Sequence, residues 1–197
     1  SSSALIVIDV QNAYFSPTGS LGRLGYDISP VANILDSLER FIKVAREQGL
    51  AIFFTRMIED SKDMAPNSQL ISSELSRTND HISALGSKDF EYSINKPMPE
   101  DTEIIKNSYD AFSNPELQHE LQKRKIENLI FTGANAEVCV DTTLRSAYTK
   151  GYNIVVPTDL VATRKEKLYR KDVAMEIWNE FFAHLVSSEE IENVWGA

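Results

Sequence analysis

Apolar positions fall into short unbroken runs separated by longer stretches with helical spacing. The runs are Leu5-Ile6-Val7-Ile8, Leu50 to Phe54, Leu129-Ile130-Phe131, Ile154-Val155-Val156 and a weaker Ala183 to Val186. None alternates apolar with polar, which is the mark of strands covered on both faces. Tyr92 to Ile94 and Ile104-Ile105 are further strand candidates, the second favoured because polar residues close it. Helical spacing starts at Ser29-Pro30, read as N-cap and first helical position, and continues through Val31, Ile34, Leu35, Leu38, Phe41, Ile42 and Ala45 to a stop at Gly49. Three more helices are expected: from Asn114-Pro115 to about Ile126, from Ala136 to Lys150, and from Lys165 to Phe182.

Strand alternating with helix is the grammar of right-handed βαβ units and a parallel sheet, so the fold class is α/β. A length of 197 residues points to one domain spanning 1–197, without internal repeats. Residues 58–90 are the least regular part. Their length exceeds an ordinary connection, which suggests a functional cover or oligomer contact with some helix inside.

Composition removes several function classes. Twenty Lys and Arg against twenty-nine Asp and Glu give a net charge of −9, which disfavours nucleic-acid and anionic-membrane partners. No apolar run approaches the roughly 20 residues of a membrane helix. The single Cys cannot form an intrachain disulfide, and a cytoplasmic location is expected. The opening Ser1-Ser2-Ser3 reads as a processed end.

In open parallel sheets, ligands bind beyond the carboxyl ends of the strands, where strand order reverses. Three polar residues fall at such ends: Asp9 after the first run, Lys106 after Ile104-Ile105, and Cys139 in the turn and first helical residues after Leu129 to Thr132. Each has an ordinary reading, as a cap, a surface lysine and a buried small hydrophobe. Together they form a nucleophile, a base and an orienting partner. A helix start would favour the thiolate of Cys139.

Val7-Ile8-Asp9-Val10-Gln11-Asn12, Lys106-Asn107-Ser108-Tyr109-Asp110-Ala111-Phe112 and Gly133 to Val140 resemble the isochorismatase-like cysteine hydrolase superfamily in order and spacing. The resemblance implies a three-layer fold, a six-stranded parallel sheet with helices on both faces. It implies a catalytic triad of Asp9, Lys106 and Cys139, and an oxyanion hole from the backbone amides of Asn135 and Cys139. The implied chemistry is hydrolysis of a C–N bond in a small amide, ureido or carbamoyl compound through a thioester. Candidate substrate contacts are Phe15, Tyr109, Phe112, Gln11 and Arg56, with Asn12 beside them. Members of the family commonly form dimers or tetramers, and the late aromatic residues Trp178, Phe181, Phe182 and Trp195 suit a subunit contact.

Ala136 stands where family members usually have Thr, and Asn135 and Glu137 are less common choices that would tailor the pocket or only the loop. The nicotinamidase branch carries a metal behind an Asp-x-His pair. Here the corresponding stretch is Arg56-Met57-Ile58-Glu59-Asp60-Ser61, and His81, His119 and His184 are scattered, so neither metal nor cofactor is expected. The alternatives are a nicotinamidase-like amidase, an isochorismate-type vinyl-ether hydrolase, whose branch typically lacks the cysteine, and a catalytically silent binding protein.

Overall fold

Strand β1 (Ser3–Ile8) shows why its sequence is continuously apolar. Leu5 and Val7 enter one core, while Ala4, Ile6 and Ile8 enter a second core on the opposite face. Alternate side chains point to opposite faces of a sheet, and here both faces are covered. The computed structural model describes residues 2–60, 63–74 and 81–196.

After β1 come the short helices α1 (Asn12–Phe15), α2 (Ser20–Arg23) and α3 (Ser29–Ala32), then α4 (Leu35–Glu47) and strand β2 (Ala51–Met57). The cover follows, with β3 (Glu59–Asp60), α5 (Pro66–Glu74) and β4 (His81–Ser83). Residues 61–62 and 75–80 of that stretch lie outside the described residues. The remaining elements are β5 (Thr102–Lys106), α6 (Pro115–Lys123), β6 (Asn128–Gly133), α7 (Asp141–Thr149), β7 (Asn153–Pro157), α8 (Leu168–Phe181), β8 (His184–Val186) and α9 (Ser188–Trp195).

The main sheet has six strands in the order β5-β2-β1-β6-β7-β8. All neighbours run parallel. On one face Leu38, Phe41 and Ile42 of α4 and Ile191 of α9 cover the sheet. On the other, Leu117 and Leu121 of α6, Leu144 and Ala147 of α7, and Trp178 of α8 do so. The chain builds outward from β1 through β2 to β5, then returns to β1 and builds the other way from β6. The crevice between β1 and β6 is therefore the topological switch point.

Several local expectations need correction. The helix read from Ser29 to Ala45 is two helices, with a turn at Asn33 and Ile34 between α3 and α4. Its cap is not the Ser29 side chain: Ser29 lies inside α3, and its own N–H donates to Asp27 Oδ1 at 3.0 Å. Tyr92 joins only one isolated bridge, with Gln11, while Ile104-Ile105 lie in β5. The stretch from Ala136 to Lys150 is helical, but its first five residues, Ala136–Val140, form a π-helical turn. Asn114 caps α6 as read, accepting the Glu116 N–H at 3.0 Å.

Candidate active site

Asp9 follows β1 with a left-handed backbone, φ 49°. That region is sparsely used by residues other than glycine and costs free energy unless the surroundings hold it. The holding groups come from neighbouring strands. The Asp9 N–H donates to Thr55 Oγ1 at 3.1 Å, and the Thr55 hydroxyl donates back to Asp9 Oδ1 at 2.5 Å. Lys106, the last residue of β5, donates from Nζ to Asp9 Oδ2 at 2.7 Å and to the Ser108 carbonyl at 3.2 Å. Parallel pairing brings these three strand ends together, with Met57 of β2 opposite Lys106. The ion pair is dry: both side chains are essentially inaccessible.

Cys139 arrives from β6. Gly133 ends that strand at φ 106°, and a Cβ there would run into the Ile8 carbonyl oxygen, so only glycine lets β6 lie this close to β1. The Ala134–Asn135 peptide is cis. The loop is strapped to a following segment: Gly133 N–H donates to Leu160 O at 2.9 Å and Ala136 N–H to Ala162 O at 3.0 Å. The two straps hold the loop that leads into the π-helical turn, where Cys139 faces the cleft.

Burial is the largest influence on the thiol and pushes its pKa up, Lys106 pulls it down, and Asp9 and Glu59 push it up; the net direction is well above the ordinary value. Desolvation thus works against the thiolate that a helix start is expected to favour. Burial acts to lower the Lys106 pKa, but Asp9 and Cys139 outweigh it and the net direction is up. Both shifts run in the direction that favours a lysinium and a protonated thiol.

A cleft of about 610 Å³ opens over Cys139. Cys139 lines it, whereas Asp9 and Lys106 are buried behind it. Tyr14 and Glu59 form one polar wall, with the Tyr14 hydroxyl donating to Glu59 Oε2 at 2.9 Å. Burial, then the nearby Glu59, holds the Tyr14 pKa far above its ordinary value, so it stays a hydroxyl donor. Tyr109, Asn135, Glu137 and Thr163 line the cleft deeper in the sequence, and Arg164, Lys167 and Arg170 supply positive charge. The Arg164 guanidinium stacks over Tyr26 at 3.8 Å from the ring centroid.

Of the side chains expected to contact substrate, only Tyr109 lines this cleft. Phe15 is buried in the core beneath α4. Phe112 stacks on Tyr152, with centroids 6.0 Å apart, under Lys150. Arg56 lies over the rings of Phe90 and Tyr92 and pairs with Glu103 at 2.6 Å, lining a separate groove. Gln11 is fully buried; its amide donates to Met57 O and Ser83 Oγ and accepts the Met57 N–H at 2.7 Å. It pins the cover to the end of β2. Asn12 is likewise occupied, with Lys88 O and Ser93 Oγ.

Sequence reading missed Thr55, Tyr14, Glu59, Thr163 and the Arg164–Arg170 cations. Thr55 carried a signal, a hydroxyl closing an apolar strand run at the same sheet end as Asp9. Among the described residues, no group of three or more His, Cys, Asp or Glu could hold a metal ion, and no helix is long and apolar enough to cross a membrane.

An open parallel sheet with a thiol, carboxylate and lysine converging at its switch point defines a class of α/β hydrolases. Residues 3–190 match the isochorismatase domain, and the chain belongs to the isochorismatase family. It is similar to the ureidoacrylate amidohydrolase RutB of Cronobacter turicensis, 33% identical over 169 residues covering 80% of this chain and 73% of the relative. It is also similar to the RutB of Caulobacter segnis, 28% identical over 205 residues covering 98% and 85%. A cysteine hydrolase from Pseudomonas syringae pv. phaseolicola 1448A shares the fold, with a TM-score of 0.85 at 20% identity over 99% of this chain and 92% of that one.

Proposed function

We propose that this protein is a metal-independent cysteine hydrolase that cleaves a C–N bond of a small ureido or carbamoyl carboxylate through a thioester-type intermediate. The observation that carries the reading is the placement of the only cysteine on the cleft wall, with the dry Asp9–Lys106 ion pair buried behind it. The relatives' activity on ureidoacrylate supports the ureido class.

The chemistry follows from the resting protonation states. As Cys139 Sγ bonds to the carbonyl carbon, Asp9 accepts the thiol proton, since burial prevents a thiolate from standing ready beforehand. The backbone amides of Asn135 and Cys139 receive the developing oxyanion. The C–N bond breaks, and Asp9 passes the proton to the leaving nitrogen. Water then attacks the acyl carbon, giving a proton to Asp9; the C–S bond breaks and that proton returns to sulfur. The enzyme is regenerated, and the net change is addition of one water across the C–N bond. Lys106 remains charged throughout, holding Asp9 in place and lowering the cost of negative charge on sulfur.

Arg164, Lys167 and Arg170 give the cleft the charge to hold a carboxylate. The described residues offer no metal-holding set, and the steps above use none. The proposal places the protein in the cytoplasm as a homodimer or homotetramer. The subunit contact is supported by the exposed apolar residues Tyr169, Val173 and Phe181 on α8. Trp178 and Trp195 do not belong to it: Trp178 is fully buried and Trp195 stacks on Phe41 at 5.4 Å.

Ammonia release from 3-ureidoacrylate and a panel of neutral amides tests the reading. Preferred turnover of the ureido acid, unaffected by a chelator, is expected. Activity lost to a chelator and regained with Zn²⁺, Fe²⁺ or Mn²⁺ would restore the nicotinamidase-like alternative.

A further inference from the structure

Two polar atoms in the cleft wall stand without a partner. Glu137 Oε2 and Thr163 Oγ1 are shielded from solvent and meet no hydrogen-bonding group among the described residues. Both residues line the cleft that Cys139 lines. Thr163 is wholly buried. Neither group is free to swing away with a loose loop, because the segment carrying Thr163 is bound to the one carrying Glu137. Val161 bridges Gly133, and the Ala136 N–H donates to Ala162 O at 3.0 Å.

Buried polar atoms are nearly always satisfied, and a carboxylate oxygen is costly to leave bare. Among the described residues three other buried atoms share this condition, Arg46 Nε, Arg56 Nε and Glu192 Oε1. Each belongs to a side chain already committed elsewhere, to Asp101, Glu103 and Arg40 respectively, and none of the three lines this cleft. Glu137 differs from them in having no ion pair among the described residues, although Arg164, Lys167 and Arg170 line the same cleft. A donor that comes with the ligand is the partner that completes it. Those three cations oppose entry of a positively charged group, which leaves a neutral N–H as the matching donor.

We propose that Glu137, assisted by Thr163, is the specificity-determining residue that accepts the N–H edge of the substrate's ureido or carbamoyl group. The proposal rests on the hydrolase reading for the identity of the substrate. It adds the requirement that the group carry free N–H bonds, so that N,N-dialkylated analogues are rejected. A hydrogen bond to an acceptor in a desolvated site discriminates strongly, because the analogue lacking it leaves the acceptor bare.

Calorimetric titration of the Cys139→Ala protein with 3-ureidopropionate and with its terminal N,N-dimethyl analogue reads this without turnover. The expected preference for the free N–H ligand is about 10-fold or more. Glu137→Ala in the same background should remove it, Thr163→Val should reduce it, and Glu137→Gln, which keeps a carbonyl acceptor, should retain part of it. In the active enzyme, Glu137→Ala should raise KM for 3-ureidoacrylate far more than it lowers kcat. Equal affinity for the two ligands, or a preference unchanged in Glu137→Ala, overturns the proposal. Glu137→Gln falling to the level of Glu137→Ala also overturns it, since that pattern marks a requirement for charge. Selective binding without turnover by the unaltered enzyme leaves this inference standing and removes the hydrolase reading; turnover indifferent to Glu137 does the reverse.

Discussion

Thr55 and Asp9 exchange two hydrogen bonds: the Asp9 N–H donates to the Thr55 hydroxyl at 3.1 Å, and that hydroxyl donates to Asp9 Oδ1 at 2.5 Å. One side chain thereby fixes both the left-handed backbone of Asp9 and the rotamer of its carboxylate. Thr55→Val keeps the shape and leaves a buried N–H and a buried carboxylate oxygen short of a partner. We expect a loss of about 1–3 kcal/mol in stability, read by urea denaturation, together with a fall in kcat. Thr55→Ser should restore most of both. An unchanged kcat in Thr55→Val would show that Asp9 needs no such support.

Asp9→Asn should separate labelling from catalysis. Burial raises the thiol pKa, Lys106 lowers it and Asp9 raises it. Removing the Asp9 charge takes away one of the influences that raise it and leaves burial and Glu59 against Lys106, so the thiol pKa falls. Alkylation of Cys139 by iodoacetamide at pH 7 should speed up in Asp9→Asn, while turnover falls by about 10²–10⁴-fold with the base gone. In the unaltered protein, alkylation should lag behind a free thiol at pH 7 and keep rising above the ordinary thiol range near 8.5. Parallel slowing of labelling and turnover in Asp9→Asn would contradict the assigned direction.

The strand grammar was legible because β1, β2 and β6 are buried on both faces and so are written as unbroken apolar runs. The positions of Asp9 and Lys106 at strand ends, and of Cys139 in the turn after β6, were legible because a strand end is a fixed point in a parallel sheet. The break between α3 and α4 was hidden by Ile34 and Leu35, which continue the apolar spacing through it. Helix α9 announced itself in Ser187 and Glu190, whose side chains form a capping box, although the spacing was not read. Phe15 and Phe112 show the limit of nearness in sequence: each lies within or just beyond a motif, yet each packs away from the cleft. Tyr14, Glu59, Thr163 and the Arg164–Arg170 cations reach the cleft only through tertiary folding, which no local pattern encodes.

The Lys106–Asp9 pair should also dominate stability near the site. Its side chains are inaccessible, and breaking a buried pair by removing one partner costs about 3–5 kcal/mol. Lys106→Met should lose stability on that scale in urea at pH 7, and combining it with Asp9→Asn should recover part. The folded-state pKa of Lys106 is raised, so its contribution is complete below the unfolded value near 10.4 and is lost as pH rises through the folded value. Loss of this contribution between pH 5 and 9 would contradict the sign.

The exposed α8 face carries the assembly prediction. Light scattering should find a species larger than the 22.2 kDa chain at micromolar concentration, and Val173→Glu with Phe181→Glu should shift it toward monomer without unfolding. A monomer in the unaltered protein would remove the subunit contact.

Cys139→Ala is the variant on which the whole account turns. Measured by ammonia release from 3-ureidoacrylate, kcat/KM of the purified variant should fall by at least about 10³-fold, since removing a covalent nucleophile disables its partners with it, while its urea midpoint stays close to that of the unaltered protein. Turnover retained within about 10-fold would show that sulfur does not attack the carbonyl carbon, and the covalent mechanism would fall.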